Sequence, residues 1–203
     1  MTIDEIMRLA PVIPVLVMDE VLDPVALAET LVEAGLPVIE VTLRTPHALA
    51  AIEAMATVDG AVVGAGTVLD EATLGRAIDA GARFVVSPGL TGPLGRGAIV
   101  SGVPFLPGVA TAGDIMRGLD LGLDRFKYFP AEASGGLAAL KALAAPFGDV
   151  LFCPTGGIRE DSASEWLAHP AVRCVGGSWL VPSGETDLAA VGKRARAAAG
   201  LRK

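Results

Sequence analysis

The feature that most constrains the fold of this chain is a short apolar, β-branched run that returns at regular intervals. Eight such runs start roughly every 21–26 residues and are bounded by glycine and proline. Nearly every interval between them holds an Ala/Leu-rich stretch with helical spacing. This alternation is typical of βα units. The runs cover residues 11–17, 37–43, 61–66, 82–88, 103–108, 125–130, 150–155 and 172–177.

Helix start and stop signals divide the chain at the same places. Asp23-Pro24 and Thr45-Pro46 each put a capping side chain before a proline suited to the first helical turn. Gly35 follows a helical pattern at the position where a left-handed residue is needed. The chain is therefore expected to alternate strands and helices from end to end.

The nearly continuous apolar strands imply a parallel sheet that is covered on its faces. Their regular spacing predicts an α/β fold, a (βα)8 TIM barrel, with an extra N-terminal helix over residues 2–10 that covers the bottom. An open doubly wound sheet is the alternative, but it does not require regular spacing over eight strands. No linker or low-complexity tract interrupts the pattern, so we expect a single domain over residues 1–203.

The composition argues against several classes of partner. The net charge is −7 and no basic run is present, so nucleic acid is not expected to bind. The apolar runs are shorter than the roughly 18–20 residues that a membrane span requires, and Asp4 and Glu5 lie where a signal peptide would be basic. We expect a cytoplasmic protein without a membrane partner. Cys153 and Cys174 lie in apolar segments typical of buried thiols, and no His or Cys spacing predicts a metal site.

Paired glycines follow the last two predicted strands, in Thr155-Gly156-Gly157 and Gly176-Gly177-Ser178. In a TIM barrel, phosphate commonly binds at these two loops. Glycine lets backbone N–H groups approach a phosphate closely, a hydroxyl adds a donor, and a helix start beyond the loop adds a positive dipole. One glycine pair alone is more typical of an ordinary turn, but two pairs at the two expected loops favour a phosphate site.

The second run, VIEVTLR, places polar side chains on one face of its strand. Period-two alternation puts Glu40, Thr42 and Arg44 on the inward face, while the apolar residues between them face the helices. Arg44 could bind a substrate carboxylate and leave Glu40 free as a base. A buried Glu–Arg pair that satisfies itself is the alternative. Thr67, a hydroxyl donor after two glycines, is expected at the same rim.

Lys127 is the only one of the four lysines that lies within a strand pattern. If its side chain points inward, desolvation disfavours the ammonium form and favours a neutral amine that can attack a carbonyl. A lysine on the outer face, with its head in water, is the alternative. Together with a carboxylate, an arginine and a phosphate pocket, Lys127 favours imine formation with a phosphorylated 2-oxo acid, a lyase reaction.

Seven segments of the chain carry a family resemblance, in the family's order and over nearly the whole length: EVTLRTP, GAGTV, SPG, FLPGVATAGD, KYFPAE, PTGGI and GGSWLVP. The chain resembles the 2-keto-3-deoxy-6-phosphogluconate (KDPG) aldolase / 4-hydroxy-2-oxoglutarate aldolase family of class I aldolases. Tyr128 stands where that family usually has phenylalanine, and we expect its ring to face away from the site.

The resemblance implies roles for the candidate residues. Lys127 would be the Schiff-base lysine and Glu40 the general acid and base. Arg44 and Thr67 would bind the pyruvyl carboxylate, and Pro88 would shape that end of the pocket. The phosphate would be bound by Gly156, Gly157, Gly177 and Ser178. Thr155 would contact the substrate hydroxyls. The resemblance also implies a homotrimer, the Entner–Doudoroff pathway, no metal, and no cofactor beyond the covalent imine.

The implied reaction is cleavage of KDPG to pyruvate and glyceraldehyde 3-phosphate. 4-Hydroxy-2-oxoglutarate and the galactonate epimer are alternative substrates, and Thr155 is associated with the gluconate epimer in the family. An isomerase or synthase of phosphorylated metabolites would share the glycine loops but leave Lys127 without a role. A phosphate-binding barrel without catalysis would be expected to lack Lys127 or Glu40.

Overall fold

The computed structural model describes residues 1–19 and 21–201. Over these residues the chain forms nine α-helices and nine strand segments, which alternate along the sequence as expected. The strands are β1 Val12–Leu16, β2 Val38–Thr42, β3 Val62–Gly66, β4 Phe84–Val86, β5 Phe105–Leu106, β6 Gly108–Val109, β7 Arg125–Tyr128, β8 Leu151–Pro154 and β9 Val175–Gly177. The helices are α1 Ile3–Arg8, α2 Pro24–Glu33, α3 Ala48–Met55, α4 Glu71–Asp79, α5 Gly92–Ser101, α6 Ala112–Asp120, α7 Gly136–Ala144, α8 Glu160–Leu167 and α9 Leu188–Ala199.

One of the two predicted proline-led helix starts is present and the other is wrong. Asp23 Oδ1 accepts the N–H of Ala26 at 2.8 Å, and α2 begins at Pro24 as expected. Helix α3 begins later than expected, at Ala48. Thr45 does not cap it, because its hydroxyl donates to the carbonyl of Met18 at 2.6 Å and so ties the segment after β2 to the segment after β1.

All strand pairings are parallel. Six strands are ordered β5-β4-β3-β2-β1-β9 and three are ordered β6-β7-β8. The predicted fifth strand is split into β5 and β6 because Pro107 has no N–H for the ladder, although its carbonyl accepts the N–H of Lys127 at 2.9 Å. Parallel bridges join Phe152 to Val172 and Thr155 to Gly176. The chain therefore has an α/β fold with a curled parallel sheet.

Alternate residues along the strands fall into two apolar clusters. Ile39 and Val41 of β2 pack in the larger cluster, which includes the helices. Val38 belongs to a smaller cluster with Ile6 and Met7 of α1 and with residues of several other strands. The period-two alternation predicted for this strand therefore separates an outer face, toward the helices, from an inner face that carries the polar side chains.

The smaller cluster also buries both cysteines, Cys153 and Cys174. A hydrogen bond with Cys153, together with burial, raises the pKa of Cys174 well above its ordinary value. A thiol of this kind is unreactive, as expected for core packing. Among the described residues, no helix is long and apolar enough to cross a membrane.

Candidate active site

Lys127 points to the inner side of the sheet. Its neighbours on β7, Phe126 and Tyr128, belong to the outer cluster, so alternation turns the lysine inward. The Nζ atom donates to Glu40 Oε1 at 3.0 Å, and the two residues are 6% and 3% exposed. Nζ also lies 5.3 Å from the centre of the Phe129 ring, within the range of a cation–π interaction. The outer-face alternative for Lys127 is therefore wrong.

Tyr128 faces away from the lysine, as expected. Its hydroxyl donates to the carbonyl of Ser134 at 3.0 Å, and its ring lies 6.3 Å from that of Trp166. Burial raises the pKa of the Tyr128 hydroxyl. The tyrosine therefore packs the sheet against the helices and stays outside the site.

A glycine on the neighbouring strand makes room for the Glu40 carboxylate. Gly66, on β3, pairs in register with Thr42, two residues beyond Glu40. A Cβ at position 66 would overlap with Oε1, Cδ and Cγ of Glu40. The GAGT segment therefore contributes space for the carboxylate as well as a hydroxyl, and this space was not predicted from the sequence.

The buried pair can exchange a proton directly. Transfer from the Lys127 ammonium to the Glu40 carboxylate along the 3.0 Å hydrogen bond leaves a neutral amine, which is the nucleophilic form. The protonated carboxyl then becomes a general acid for the same site. The geometry therefore supports carbonyl addition by an amine with an adjacent acid and base.

Arg44 does not lie on the strand face where the sequence predicted it. Strand β2 ends at Thr42, and Arg44 lies exposed in the following turn, with its N–H donating to the carbonyl of Thr42 at 2.8 Å. Glu40 is paired with Lys127, so the alternative of a self-satisfied Glu–Arg pair is wrong. Thr42 is inward and buried as predicted, and its hydroxyl donates to the carbonyl of Leu16 at 2.8 Å.

Thr67 and Pro88 follow the ends of β3 and β4. Thr67 is half-buried and has a φ of 61°, the left-handed region that a non-glycine residue rarely adopts. Strained backbone of this kind clusters at functional sites. Pro88 is half-buried, and its carbonyl lies so close to Gly108 of β6 that a Cβ there would overlap it. Both residues therefore follow the ends of neighbouring strands of the sheet, where the sequence predicted Thr67 and the family resemblance implied Pro88.

The two glycine loops lie side by side. Thr155 is buried and forms a parallel bridge with Gly176, where a Cβ would overlap the threonine side chain. Gly156 and Gly157 have φ values of 102° and 83°, which favour glycine. A Cβ at Gly177, the last residue of β9, would overlap the ring of Trp179, which explains the glycine at the end of this strand.

The hydroxyl of Ser178 belongs to an exposed residue beyond Gly177, where a bound anion could reach it. The predicted helix dipole is present for only one of the two loops. Helix α8 begins at Glu160, shortly after Gly157, whereas the next helix after Ser178 begins only at Leu188. The second loop therefore offers backbone and hydroxyl donors without a helix N-terminus close behind it.

Two side chains near the site were not assigned a role from the sequence. The Phe129 ring lies beside Lys127, and period-two spacing from Lys127 within the predicted run 125–130 could have indicated it. Glu132 accepts the indole N–H of Trp166 at 3.2 Å, a contact between distant segments that no local pattern indicates. Across residues 1–19 and 21–201, no group of three or more His, Cys, Asp or Glu side chains could hold a metal ion.

The chain is similar to known aldolases over nearly its whole length. Residues 3–194 match the family described as KDPG and KHG aldolase. A 2-dehydro-3-deoxy-phosphogluconate aldolase of Zymomonas mobilis is 56% identical over 201 residues, which is 99% of this chain and 97% of that protein.

Solved structures agree with the sequence match. The KDPG aldolase of Zymomonas mobilis ZM4, solved with 3-phosphoglycerate, has a TM-score of 0.97 and 56% identity, and the match covers 99% of this chain and 96% of the other. The KDPG aldolase of Legionella pneumophila, solved with pyruvate as a covalent carbinolamine, has a TM-score of 0.95 and 41% identity over 98% of both chains. The inward lysine, its carboxylate partner and these matches together place the chain in the KDPG and KHG aldolase family.

Proposed function

We propose that this chain is a class I aldolase that cleaves KDPG to pyruvate and glyceraldehyde 3-phosphate. The observation that carries the proposal is the buried hydrogen bond between Lys127 Nζ and Glu40 Oε1 on the inner side of the sheet. Family membership makes the protein an aldolase, a carbon–carbon lyase. The name of the Zymomonas mobilis relative, 2-dehydro-3-deoxy-phosphogluconate aldolase, supports the substrate, and the covalent pyruvate carbinolamine in the Legionella enzyme supports the imine chemistry.

The first half of the reaction forms the imine. Neutral Lys127 attacks the C2 ketone of the substrate, and Glu40 delivers and removes the protons of carbinolamine formation and dehydration. One water leaves, and the nitrogen stays bonded to C2 as a protonated imine. The imine can then accept an electron pair from the neighbouring carbon–carbon bond.

The second half breaks the C3–C4 bond. Glu40, directly or through a water, removes the proton of the C4 hydroxyl, and the bonding electrons flow into the imine to give an enamine. Glyceraldehyde 3-phosphate leaves with its new aldehyde at the former C4. The enamine takes a proton at C3, and water hydrolyses the resulting imine to pyruvate and free Lys127.

Recognition of the substrate is assigned to the rim. Arg44 and Thr67 bind the pyruvyl carboxylate, and Pro88 shapes that end of the pocket. Arg44 is exposed in the turn after β2, the strand that carries Glu40, and its planar guanidinium suits two-point binding of a carboxylate. The two adjacent glycine loops receive the other end of the substrate, with phosphate donors at Gly156, Gly157, Gly177 and Ser178 and a hydroxyl partner at Thr155.

The finer architecture is part of the same proposal. We infer a closed (βα)8 barrel in one domain over residues 1–203, with α1 across its bottom. The parallel bridges between Phe152 and Val172 and between Thr155 and Gly176 support closure, and the packing of Ile6 in the inner cluster supports the covering helix. A homotrimer, the Entner–Doudoroff pathway and a reaction without a cofactor rest on the family resemblance. A cytoplasmic location rests on the short apolar runs and on the acidic residues near the start of the sequence.

Steady-state kinetics with three substrates tests this function. We expect the highest kcat/KM with KDPG, lower values with its galactonate epimer and with 4-hydroxy-2-oxoglutarate, and no turnover of any of them by Lys127→Ala. Equal kcat/KM for 4-hydroxy-2-oxoglutarate and KDPG would argue against a phosphate-selective site. Retained turnover in Lys127→Ala would argue against the imine itself.

A further inference from the structure

Glu132 lies where three segments of the proposed site meet. It belongs to the loop between β7, which carries Lys127, and helix α7. Across from it are the Gly156-Gly157 loop after β8 and helix α8, which follows that loop. Contacts made by Glu132 can therefore set the position of the Gly156-Gly157 loop relative to Lys127.

The main chain around Glu132 holds the glycine loop directly. The N–H of Ala131 donates to the carbonyl of Thr155 at 2.8 Å, and the N–H of Glu132 donates to the carbonyl of Gly156 at 3.0 Å. Gly156 and Gly157 both have positive φ, a region where glycine has unusual freedom. Fixing these carbonyls therefore also fixes the direction of the N–H groups in the loop.

The Glu132 side chain completes the contact and extends it to α8. A Cβ at Gly157 would lie 2.7 Å from Cβ and Cγ of Glu132, so the glycine packs against the stem of the glutamate. The carboxylate then accepts the indole N–H of Trp166 at 3.2 Å. Trp166 is only 2% exposed, and a buried indole N–H requires an acceptor. Glu132 supplies one.

We propose that Glu132 is a positioning residue for the phosphate end of the site. It holds the Gly156-Gly157 loop between the β7–α7 loop and Trp166 of α8, and it thereby presents the loop N–H groups to the phosphate. This inference rests on the proposed function, since it deepens the phosphate-binding role given to those glycines. The negative charge of Glu132 does not favour phosphate binding, because like charges repel. The positioning role therefore depends on the acceptor atom for the Trp166 N–H and on the packed stem of the side chain.

The test separates binding of the phosphate from chemistry at the lysine. The KM for KDPG depends on both ends of the site, whereas exchange of the pyruvate methyl hydrogens for deuterium depends on imine formation at Lys127. We expect Glu132→Ala to raise the KM about 5- to 30-fold, with kcat and the exchange rate within about two-fold of wild type. Glu132→Gln keeps an acceptor and should restore the KM. Glu165→Ala, an exposed glutamate on α8, is the matched control and should behave as wild type.

Two further variants make every outcome decisive. Trp166→Phe removes the indole N–H and should raise the KM for KDPG in the same direction, while Ser178→Ala reports on the phosphate site independently of Glu132. A raised KM in Ser178→Ala with a normal KM in Glu132→Ala overturns the role of Glu132 and leaves the phosphate site in place. A normal KM in both overturns the phosphate assignment as well. A parallel loss of exchange, kcat and melting temperature in Glu132→Ala overturns positioning in favour of a purely structural role.

Discussion

Lys127 and Glu40 are 87 residues apart in the sequence and share one buried hydrogen bond. A buried ion pair is a poor source of stability, because the cost of removing two charges from water offsets much of their attraction. Apolar residues of similar volume would pack the same space without that cost. The pair is therefore better explained by the chemistry that proton transfer between these two atoms makes possible.

Glu40→Gln tests the acid and base role at the residue scale. Glutamine keeps the volume and one acceptor atom, so the side chain should still fit beside Gly66, but it cannot take up the lysine proton. We expect kcat to fall by about 10²- to 10⁴-fold, with KM changed only a few-fold. Steady-state kinetics with KDPG measures both constants. An unchanged kcat would remove Glu40 from the proposed mechanism.

Gly66→Ala tests whether the position of the Glu40 carboxylate matters. The added methyl group would overlap with that carboxylate, so the glutamate must move away from Lys127. We expect kcat to fall by about 10²-fold, since a small misplacement of a catalytic group costs that much. Gly75→Ala on α4 is the matched control: a Cβ there meets nothing within 4 Å, and it should raise helix stability by about 0.5–1 kcal/mol and leave kcat unchanged. Equal kcat values for the two variants would contradict the account.

At the scale of elements, one carboxylate ties α1 to the strands. Asp4 accepts hydrogen bonds from Arg8 of the same helix at 2.6 Å and from Arg125 of β7 at 2.7 Å, and Arg173, just before β9, lies 3.8 Å away. Burial alone would raise the pKa of Asp4, but the hydrogen bonds from Arg8 and Arg125 outweigh it and hold the pKa below its ordinary value of 3.8. The ionised carboxylate is therefore the form that the folded protein favours.

Asp4→Asn should reveal this contribution as a pH-dependent loss of stability. A lowered pKa in the folded state stabilises the fold above pH 3.8, and that contribution disappears as the pH falls through the folded-state pKa. At pH 7 we expect the variant to lose about 1–3 kcal/mol, a fall in Tm of about 2–10 °C, and the difference from wild type to shrink below pH 3.8. Thermal unfolding at a series of pH values measures it.

The exposed Asp124 is the control for Asp4→Asn. It forms an ion pair with the same Arg125 at 3.1 Å, but its side chain is 57% exposed, so Asp124→Asn should change stability by less than about 1 kcal/mol. Equal losses for the two variants, or a difference for Asp4→Asn that persists in acid, would contradict the proposed role of Asp4 in attaching α1.

Strand positions could be predicted from the sequence, whereas the exact ends of strands and helices could not. Strand positions were predictable because each run is apolar and β-branched. The direction of Lys127 stayed open in the sequence, and the folded chain decides it, because Phe126 and Tyr128 pack in the outer cluster and alternation turns the lysine inward. The start of α3 was not predictable, because the Thr45 hydroxyl donates to the carbonyl of Met18, 27 residues away in the segment after β1. Arg44 left the strand face for the same reason: the end of a strand depends on its neighbours in the sheet.

In the whole molecule, the parts of the site that the sequence did not predict are contacts between distant segments. The bridge between Thr155 and Gly176, the space that Gly66 leaves for Glu40, and the hydrogen bond between Trp166 and Glu132 each join separate βα units. Strand patterns and glycine pairs in the sequence indicated most of the candidate residues, and the resemblance to the aldolase family added Pro88 and the individual roles. Their spacing, and the identity of the groups that support them, required the folded chain.

The net charge of −7 does not oppose this function. An anionic substrate is bound by donors at the site, and salt at physiological concentration screens exposed charges beyond about 8 Å. The proposed site offers backbone N–H groups, the hydroxyls of Thr67, Thr155 and Ser178, and Arg44 at its rim, with Lys127 beneath. Local donors therefore outweigh the overall charge in the binding of the substrate.

Reductive trapping of the imine tests the central proposal most directly. The protein is incubated with pyruvate and sodium borohydride, digested, and analysed by mass spectrometry, with Lys127→Ala as the control. We expect one reduced pyruvyl adduct, on the peptide that contains Lys127, and no adduct in the control. Folded wild-type protein that carries no adduct, or carries it on Lys141 or Lys193 instead, would contradict the assignment of Lys127 as the Schiff-base residue.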